Sequence, residues 1–346
     1  MSYSQTFVII FYFIHITMSL LVQNKSKKFR YILFFTQVIS FIFFFGCRDF
    51  VIGTDTDNYL DIFLRGALTR DGGYNYIMAT ARTYFGDFRS VMLIVSFVIN
   101  VNLGISYLIL MKNQKRLNII YVLLCTMPFM ILFNINVIRQ GLGLSFILLG
   151  VALWVKNHKV FSVVPFTISV FFHSSMIGVS PLVFFVLLLN VDHRFILVAI
   201  ALALLMSNLG VDDMLIGYTS ESLQVKFLSY KERNGLIGFL PLFSYYMIHF
   251  SILMLSYIKS RDYILRKLIA AVGVMLIVGG FFMDVQLFGT RFLIGIDLII
   301  PAAYCFLLAN LDTLEIKWLK YTENLGYFVL VIIVFNLPPI ITNFNW

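Results

Sequence analysis

Apolar runs of about 17 to 22 residues recur from one end of this chain to the other, and each is long enough to cross a hydrocarbon core roughly 30 Å thick. A chain built this way reads as an all-α, polytopic membrane protein. The charge content agrees: 60% of the 346 residues are hydrophobic and 12% are charged, about half the charge of a soluble globular chain. No polar segment is large enough to fold as a separate soluble domain, so residues 1–346 read as a single transmembrane domain.

Positive charge sets the expected topology. The short segments 23–30 (QNKSKKFR), 112–118 (KNQKRLN), 156–159 (KNHK) and 259–267 are basic, and the positive-inside rule puts them in the cytoplasm. Residues 47–89 then face outside, with the turns near 134–138 and 173–175, the loop at about 210–238 and the turn from Asp284 to Arg291. Twelve helices alternate on this scheme, with both termini outside; the count is eleven if 160–190 is one long broken helix. The first apolar run has no basic residue before it and no small-residue cleavage pattern, and its positive charges follow it at Lys25, Lys27, Lys28 and Arg30. It is therefore expected to be a retained helix rather than a removed signal. The net charge of +9 belongs to membrane orientation on this reading, not to nucleic acid. Cys47, Cys125 and Cys305 are scattered, with no Cys-x-x-Cys pair, and suggest neither a disulfide framework nor a thiolate metal site.

The outer segment 47–89 is long, polar and laced with aromatics (Phe50, Tyr59, Phe63, Tyr74, Tyr76, Tyr84, Phe85, Phe88), and NYLDIFLRGAL has the apolar spacing of an amphipathic helix lying in the interface. Long structured loops over a membrane core usually cover a binding site. Helix arithmetic converts loop positions into depths. Arg48 lies 18 residues beyond Arg30, roughly 27 Å at 1.5 Å per residue; Arg139 lies 21 beyond Asn118, and Arg291 lies 19 before Asn310. All three arrive near the outer hydrocarbon boundary. His173, only 14 residues beyond Lys159, rises roughly 21 Å and is recessed below that layer.

Each of these residues has a plain structural alternative. A lone arginine at a helix end can snorkel to lipid headgroups, and His173 can be a structural residue satisfied by Ser174 and Ser175. Three arginines in one layer favour function, because membrane-buried charge usually marks it, and their donor forks suit phosphate and pyrophosphate oxygens. Asp297 falls inside the apolar layer, where it could hold a proton or ion or pair with a base on another helix. The Asp55-x-Asp57 pair resembles a nucleotide-sugar metal motif, but in GTDTDNY a turn with Asx capping is the simpler role. No Gly-rich phosphate loop, nucleophile elbow or metal-ligand cluster stands out, and neither a metal nor a cofactor is expected.

Four segments together resemble the EpsG family, which comprises Wzy-like polysaccharide polymerases. CRDFVIGTDTDNYLDIF (47–63) resembles the family's Arg-Asp…Gly-Thr-Asp…Tyr signature and NVIRQGLGLSF (136–146) its Arg-Gln helix start. FFHSSMIG (171–178) resembles its His-Ser segment and FGTRFLIG (288–295) its late arginine, while 210–238 matches least. The resemblance implies a GT-C-like membrane glycosyltransferase in the bacterial inner membrane with its active site toward the periplasm or exterior. Such enzymes transfer a growing glycan from undecaprenyl pyrophosphate to a sugar hydroxyl of another lipid-linked repeat unit, without metal or nucleotide sugar. The polymer would be an O-antigen, capsule or exopolysaccharide, and a chain-length regulator protein is a plausible partner beside the membrane lipids.

On that chemistry Arg48, Arg139 and Arg291 stabilise the pyrophosphate leaving group and His173 is the candidate base. Asp49 or Asp55 is the reserve base, or orients the histidine or the sugar. Tyr59 and Gln140 are placed to hydrogen-bond sugar hydroxyls, and the aromatics of 74–88 to stack on pyranose faces. Two rivals from other classes are a lipid-linked oligosaccharide flippase or transporter and a membrane O-acyltransferase; a third is a non-enzymatic assembly subunit. Against the flippase, no repeated half is evident. Against the acyltransferase, the first helix offers His15 with no arginine after it.

Overall fold

The computed structural model describes residues 5–309 except 51–52, 54, 112–115, 127, 190–191, 219–223, 226–238, 261, 284, 286–288 and 290–291. The regular elements among the described residues are all helical, as a hydrocarbon solvent demands of a backbone that must hydrogen-bond to itself. In order they are α1 (Gln5–Val22), α2 (Lys27–Gly46), α3 (Thr56–Arg65), α4 (Gly72–Tyr84), α5 (Phe88–Leu110), α6 (Leu117–Thr126), α7 (Pro128–Ile135) and α8 (Ile138–Val155). Then come α9 (Lys159–Phe172), α10 (Met176–Leu189), α11 (His193–Asn208), α12 (Val211–Gly217), α13 (Phe239–Ser260), α14 (Tyr263–Phe281), a 3-10 turn (Ile294–Leu298) and α15 (Ile300–Ala309).

Four of these, α2, α5, α8 and α14, are each long and apolar enough to cross a membrane alone, and shorter apolar helices lie in α1, α9, α10, α11 and α13. Burial makes the same point from packing. On α2, Phe34, Val38, Phe41, Ile42 and Phe45 are buried, while Phe29, Ile32, Phe35, Ile39 and Phe43 form the exposed face. A helix in water would put polar residues on that second face; here both faces are apolar, so the outer one meets lipid. The 160–190 region is two helices, not one. The Ser180 hydroxyl of α10 donates to the Phe166 carbonyl of α9 at 2.7 Å, a contact that a straight helix could not make between residues 14 apart. The full expected count of crossings runs past Ala309, outside the described residues.

The chain divides into two compact units, one running to Ser180 and the other beginning at Pro181. In the first unit α5 packs against α2 and α8, α9 against α8, and α4 against both α5 and α9. Polar side chains of α5 pin its neighbours. Ser96 donates to the Ile42 carbonyl (3.0 Å), Asn100 to Asn134 Oδ1 (3.1 Å) and Asn102 to the Ser145 hydroxyl (3.1 Å). Interhelical hydrogen bonds of this kind contribute about 0.6 kcal/mol each in a membrane, and they fix register where apolar contacts alone do not.

Glycines set how closely α8 and α9 approach. A Cβ on Gly143 would lie 2.7 Å from Met176 Cγ and 3.2 Å from the Ser169 carbonyl oxygen, and one on Gly150 would lie 2.8 Å from the Phe166 ring. Gly143 is one turn after Arg139 and Ser169 one turn before His173, so this close crossing brings those two residues level.

In the second unit α14 packs on α11 and α13, and α15 packs on α13 and α14. Lys267 is buried and donates to the Leu187 carbonyl (2.7 Å), and His249 Nδ1 lies 2.7 Å from the Tyr304 hydroxyl. Asp297 is buried in the 3-10 turn.

Candidate functional site

The segment between α2 and α5 folds as the expected helices, α3 and α4, and the residue just before α4 is the centre of the site. Asp71 occupies the N-cap position with extended backbone, yet its side chain makes no cap hydrogen bond. The turn is held instead by a local clamp. Asn75 Oδ1 accepts from the Thr69 N–H and hydroxyl, both at 2.8 Å, and its amide donates to the Thr69 carbonyl at 2.8 Å. Relieved of capping, the Asp71 carboxylate reaches three groups on other elements. Arg139 Nη1, in the first turn of α8, donates to Oδ2 at 2.7 Å; His173 Nδ1, at the end of α9, faces the same oxygen at 3.3 Å; the Ser174 backbone N–H donates to Oδ1 at 2.9 Å.

Two further glycines make this approach possible. Gly72 and Gly73 follow Asp71 directly, and a Cβ on either would lie within 2.8 Å of the Phe171 ring, with Phe172 equally close to Gly73. The start of α4 therefore rests on the two phenylalanines that precede His173, and Phe172 is stacked on Phe146 of α8 (centroids 5.3 Å apart).

Burial grades the three ionisable side chains: Asp71 is 2% exposed, His173 12% and Arg139 28%. Burial alone would raise the Asp71 pKa, but the His173 hydrogen bond and charge, the Ser174 N–H and the Arg139 guanidinium outweigh it and hold the carboxyl down at about 2. It is an anion at any physiological pH. The Arg139 guanidinium also sits against two rings, 5.6 Å from the Tyr59 centroid and 6.0 Å from that of Tyr74, which are 5.5 Å from each other. Both tyrosines are buried, and burial pushes the Tyr74 phenol up. The Tyr74 hydroxyl and Arg139 Nε have no hydrogen-bond partner among the described residues.

Of the residues singled out from the sequence, Arg139, His173 and Tyr59 meet here, and Gln140 is buried next to Arg139. Arg48 is close by and fully buried, but its fork is engaged with backbone: Nη1 donates to the Phe45 carbonyl (2.9 Å) and Nη2 to that of Ile135 (3.0 Å), at the ends of α2 and α7. Its charge still reaches the Tyr74 phenol. The carboxylate that faces His173 is Asp71, where the sequence offered Asp49 or Asp55. Asp55 precedes α3 without a side-chain cap, and that turn is held by the Thr56 N–H to Gly53 carbonyl bond (3.1 Å), with Gly53 at φ +104°. Arg291 lies outside the described residues. Of the aromatics in 74–88, Tyr76, Tyr84 and Phe85 are exposed, whereas Tyr74 and Phe88 are buried. The signal that marks Asp71 is the Asp-Gly-Gly run itself: an acid followed by two residues without side chains is a carboxylate built for close approach.

Long apolar helices with exposed apolar faces among the described residues, together with a carboxylate, a guanidinium and an imidazole gathered at the start of α4, define a membrane-embedded protein with a preformed polar site. The chain belongs to the EpsG family, whose family model matches residues 31–337. No curated protein and no solved structure matches it.

Proposed function

We propose that this EpsG-family chain is a polysaccharide polymerase that transfers a growing glycan from undecaprenyl pyrophosphate to a sugar hydroxyl of another lipid-linked repeat unit. The observation that carries the reading is the meeting of Arg139 and His173, from two different helices, on one carboxylate, Asp71, supplied by the 47–89 segment. Family membership supports the polymerase class. The basic loops support an outward-facing site in a bacterial inner membrane, where the donor's lipid tail would hold its pyrophosphate at the level of Arg139.

In the proposed step the acceptor hydroxyl oxygen bonds to the anomeric carbon of the donor sugar while the bond from that carbon to the phosphate oxygen breaks. The hydroxyl proton passes to the imidazole of His173, and undecaprenyl pyrophosphate leaves with the bonding pair. Charge develops on the departing phosphate oxygen, and a preorganised guanidinium stabilises that charge more in the transition state than in the ground state. Arg139 is the most exposed of the three charged groups, as the cation that meets the substrate should be. The buried Tyr74 hydroxyl lies beside the guanidinium without a hydrogen-bond partner among the described residues. Arg48 contributes positive charge from beneath, with Arg291 proposed from the family resemblance alone. Tyr59, Gln140, Asp49 and Asp55 are proposed as sugar contacts, and the exposed rings of Tyr76, Tyr84 and Phe85 as stacking surfaces for the glycan. A chain-length regulator is the proposed protein partner.

The test is reconstitution of the purified protein with its host's lipid-linked repeat unit, without nucleotide sugar, followed by gel analysis. A ladder of longer glycans that is lost in Arg139→Ala and His173→Ala supports the proposal. No ladder, with labelled lipid-linked oligosaccharide crossing the bilayer instead, replaces it with a flippase.

A further inference from the structure

Two groups with separate duties in the proposed reaction, a leaving-group cation and a base, are held by a single side chain that belongs to neither of their helices. We infer that Asp71 is the positioning residue of this site, and that the α3–α4 segment assembles the site by delivering that carboxylate to His173 and Arg139. The inference rests on the polymerase reading for its catalytic consequence, but not for the geometry.

A neutral imidazole carries its proton on one nitrogen and its lone pair on the other, and the hydrogen bond made by one nitrogen decides which. His173 Nδ1 faces Asp71 Oδ2 at 3.3 Å. A carboxylate held down at about 2 can only accept, so Nδ1 keeps its proton and donates it. The lone pair is thereby fixed on Nε2, the atom through which a base on this ring must work. When Nε2 takes the hydroxyl proton, the imidazolium that forms is faced by the Asp71 charge. Among the described residues, the charged and titratable groups around this pair include Arg139 from α8, which shares Oδ2, Tyr59 of α3 and Tyr74 of α4 against the guanidinium, and Arg48, whose charge reaches Tyr74. The same oxygen fixes Arg139 Nη1 at 2.7 Å and so aims the rest of the fork.

The delivery of the carboxylate is itself conditional. Asp71 forgoes the cap of its own helix, and Gly72 and Gly73 let that helix seat on Phe171 and Phe172. If α4 lifts from those rings, the base loses its tautomer and the cation its aim in one movement.

The experiment is pH titration of the purified, 15N-histidine-labelled protein by NMR, with the His173 ring nitrogens identified by their loss in His173→Gln. In the wild-type protein, Nδ1 is expected to be the protonated nitrogen of the neutral ring. In Asp71→Asn, which keeps the shape and removes the charge, the His173 midpoint is expected to fall by about one unit, with the Nε2–H tautomer appearing. A wild-type ring protonated on Nε2, or an Asp71→Asn protein of unchanged fold with the wild-type midpoint, overturns the inference. Should Asp71→Asn fail to fold, the wild-type tautomer alone still decides. In the ladder assay, Asp71→Asn is expected to lower kcat about a hundredfold and to shift the acidic limb of its pH profile with the NMR midpoint, leaving KM nearly unchanged. If the wild-type protein makes no ladder, the polymerase reading fails while the NMR result stands by itself.

Discussion

Gly143→Ala and Gly150→Ala form a matched pair that tests whether the α8–α9 crossing positions the site. Each adds one methyl to the same face of α8, and each methyl overlaps a neighbour by a similar amount: 2.7 Å from Met176 Cγ for Gly143, and 2.8 Å from the Phe166 ring for Gly150. Ordinary contact begins near 3.4 Å, so Met176 must move about 0.7 Å in the first case and the ring about 0.6 Å in the second. Overpacking of this size costs about 1–3 kcal/mol, and replacing a helical glycine by alanine returns about 1 kcal/mol. Both variants should therefore lose up to about 2 kcal/mol, and their thermal midpoints should fall together. Their effects on activity should differ. Met176 begins the helix straight after His173–Ser175, and the Ser169 carbonyl at 3.2 Å ties the same methyl to the backbone of α9. Gly143 stands about 6 Å along the axis from Arg139, whereas Gly150 stands about 16 Å away and displaces only a ring. A displacement approaching 1 Å at a catalytic constellation costs up to about a hundredfold. The initial rate of ladder formation, at equal amounts of folded protein, should fall ten- to a hundredfold in Gly143→Ala and less than threefold in Gly150→Ala. Equal losses in the two, or a wild-type rate in Gly143→Ala, would refute the positioning argument.

Arg139→Ala leaves a buried carboxylate without its cation and should cost about 3 kcal/mol, the low end for a broken buried pair because the guanidinium is partly exposed; Arg139→Lys should recover most of the stability but little activity, since an ammonium cannot serve Asp71 and substrate as a fork. Asp71 titrates at about 2 in the folded protein against an ordinary 3.8, so its contribution, about 2 kcal/mol, is complete above pH 4 and lost as pH falls through 2. Hydrogen exchange of residues 69–78 should show no loss of protection as pH falls from 8 to 4 and a loss only below; loss of protection between pH 6 and 4 would contradict this. Arg48→Lys cannot reach the Phe45 and Ile135 carbonyls together and should lower the thermal midpoint with KM unchanged, whereas a raised KM at wild-type stability would make Arg48 a substrate contact.

Hydropathy alone made the membrane helices legible, because in lipid an apolar run long enough to span has one stable conformation. The amphipathic spacing of NYLDIFLRGAL likewise gave α3. Depth arithmetic placed Arg139 at the rim and His173 below it, and the structure brings both to one carboxylate. Depth carries no azimuth, however. Arg48 is expected in the same layer but turns its fork to two helix ends, a choice set by where α7 stops, which lies 87 residues away. Asp71 escaped notice for a related reason. A loop acid has no periodicity, and its partners are 68 and 102 residues distant, so its role exists only once the chain has closed. The break between units at Ser180 and Pro181 falls inside α10, where apolar sequence continues on both sides and no change in composition marks it.

The local clamp between Thr69 and Asn75 acquires a further meaning when the chain is considered in the order of its synthesis. A ribosome adding about 5–20 residues per second makes His173 roughly 5–20 seconds after Asp71, since 102 residues separate them. For the first 68 of those residues the outer segment has neither the guanidinium nor the imidazole to hold, and for the rest it has at most the guanidinium. The Asn75 bonds to Thr69 close over six residues and need nothing made later. They keep the turn in its final shape while the bundle beneath is still being inserted. The carboxylate therefore meets α8 and then the end of α9 as a preset latch, and the arrival of His173 and Ser174 completes its set of partners.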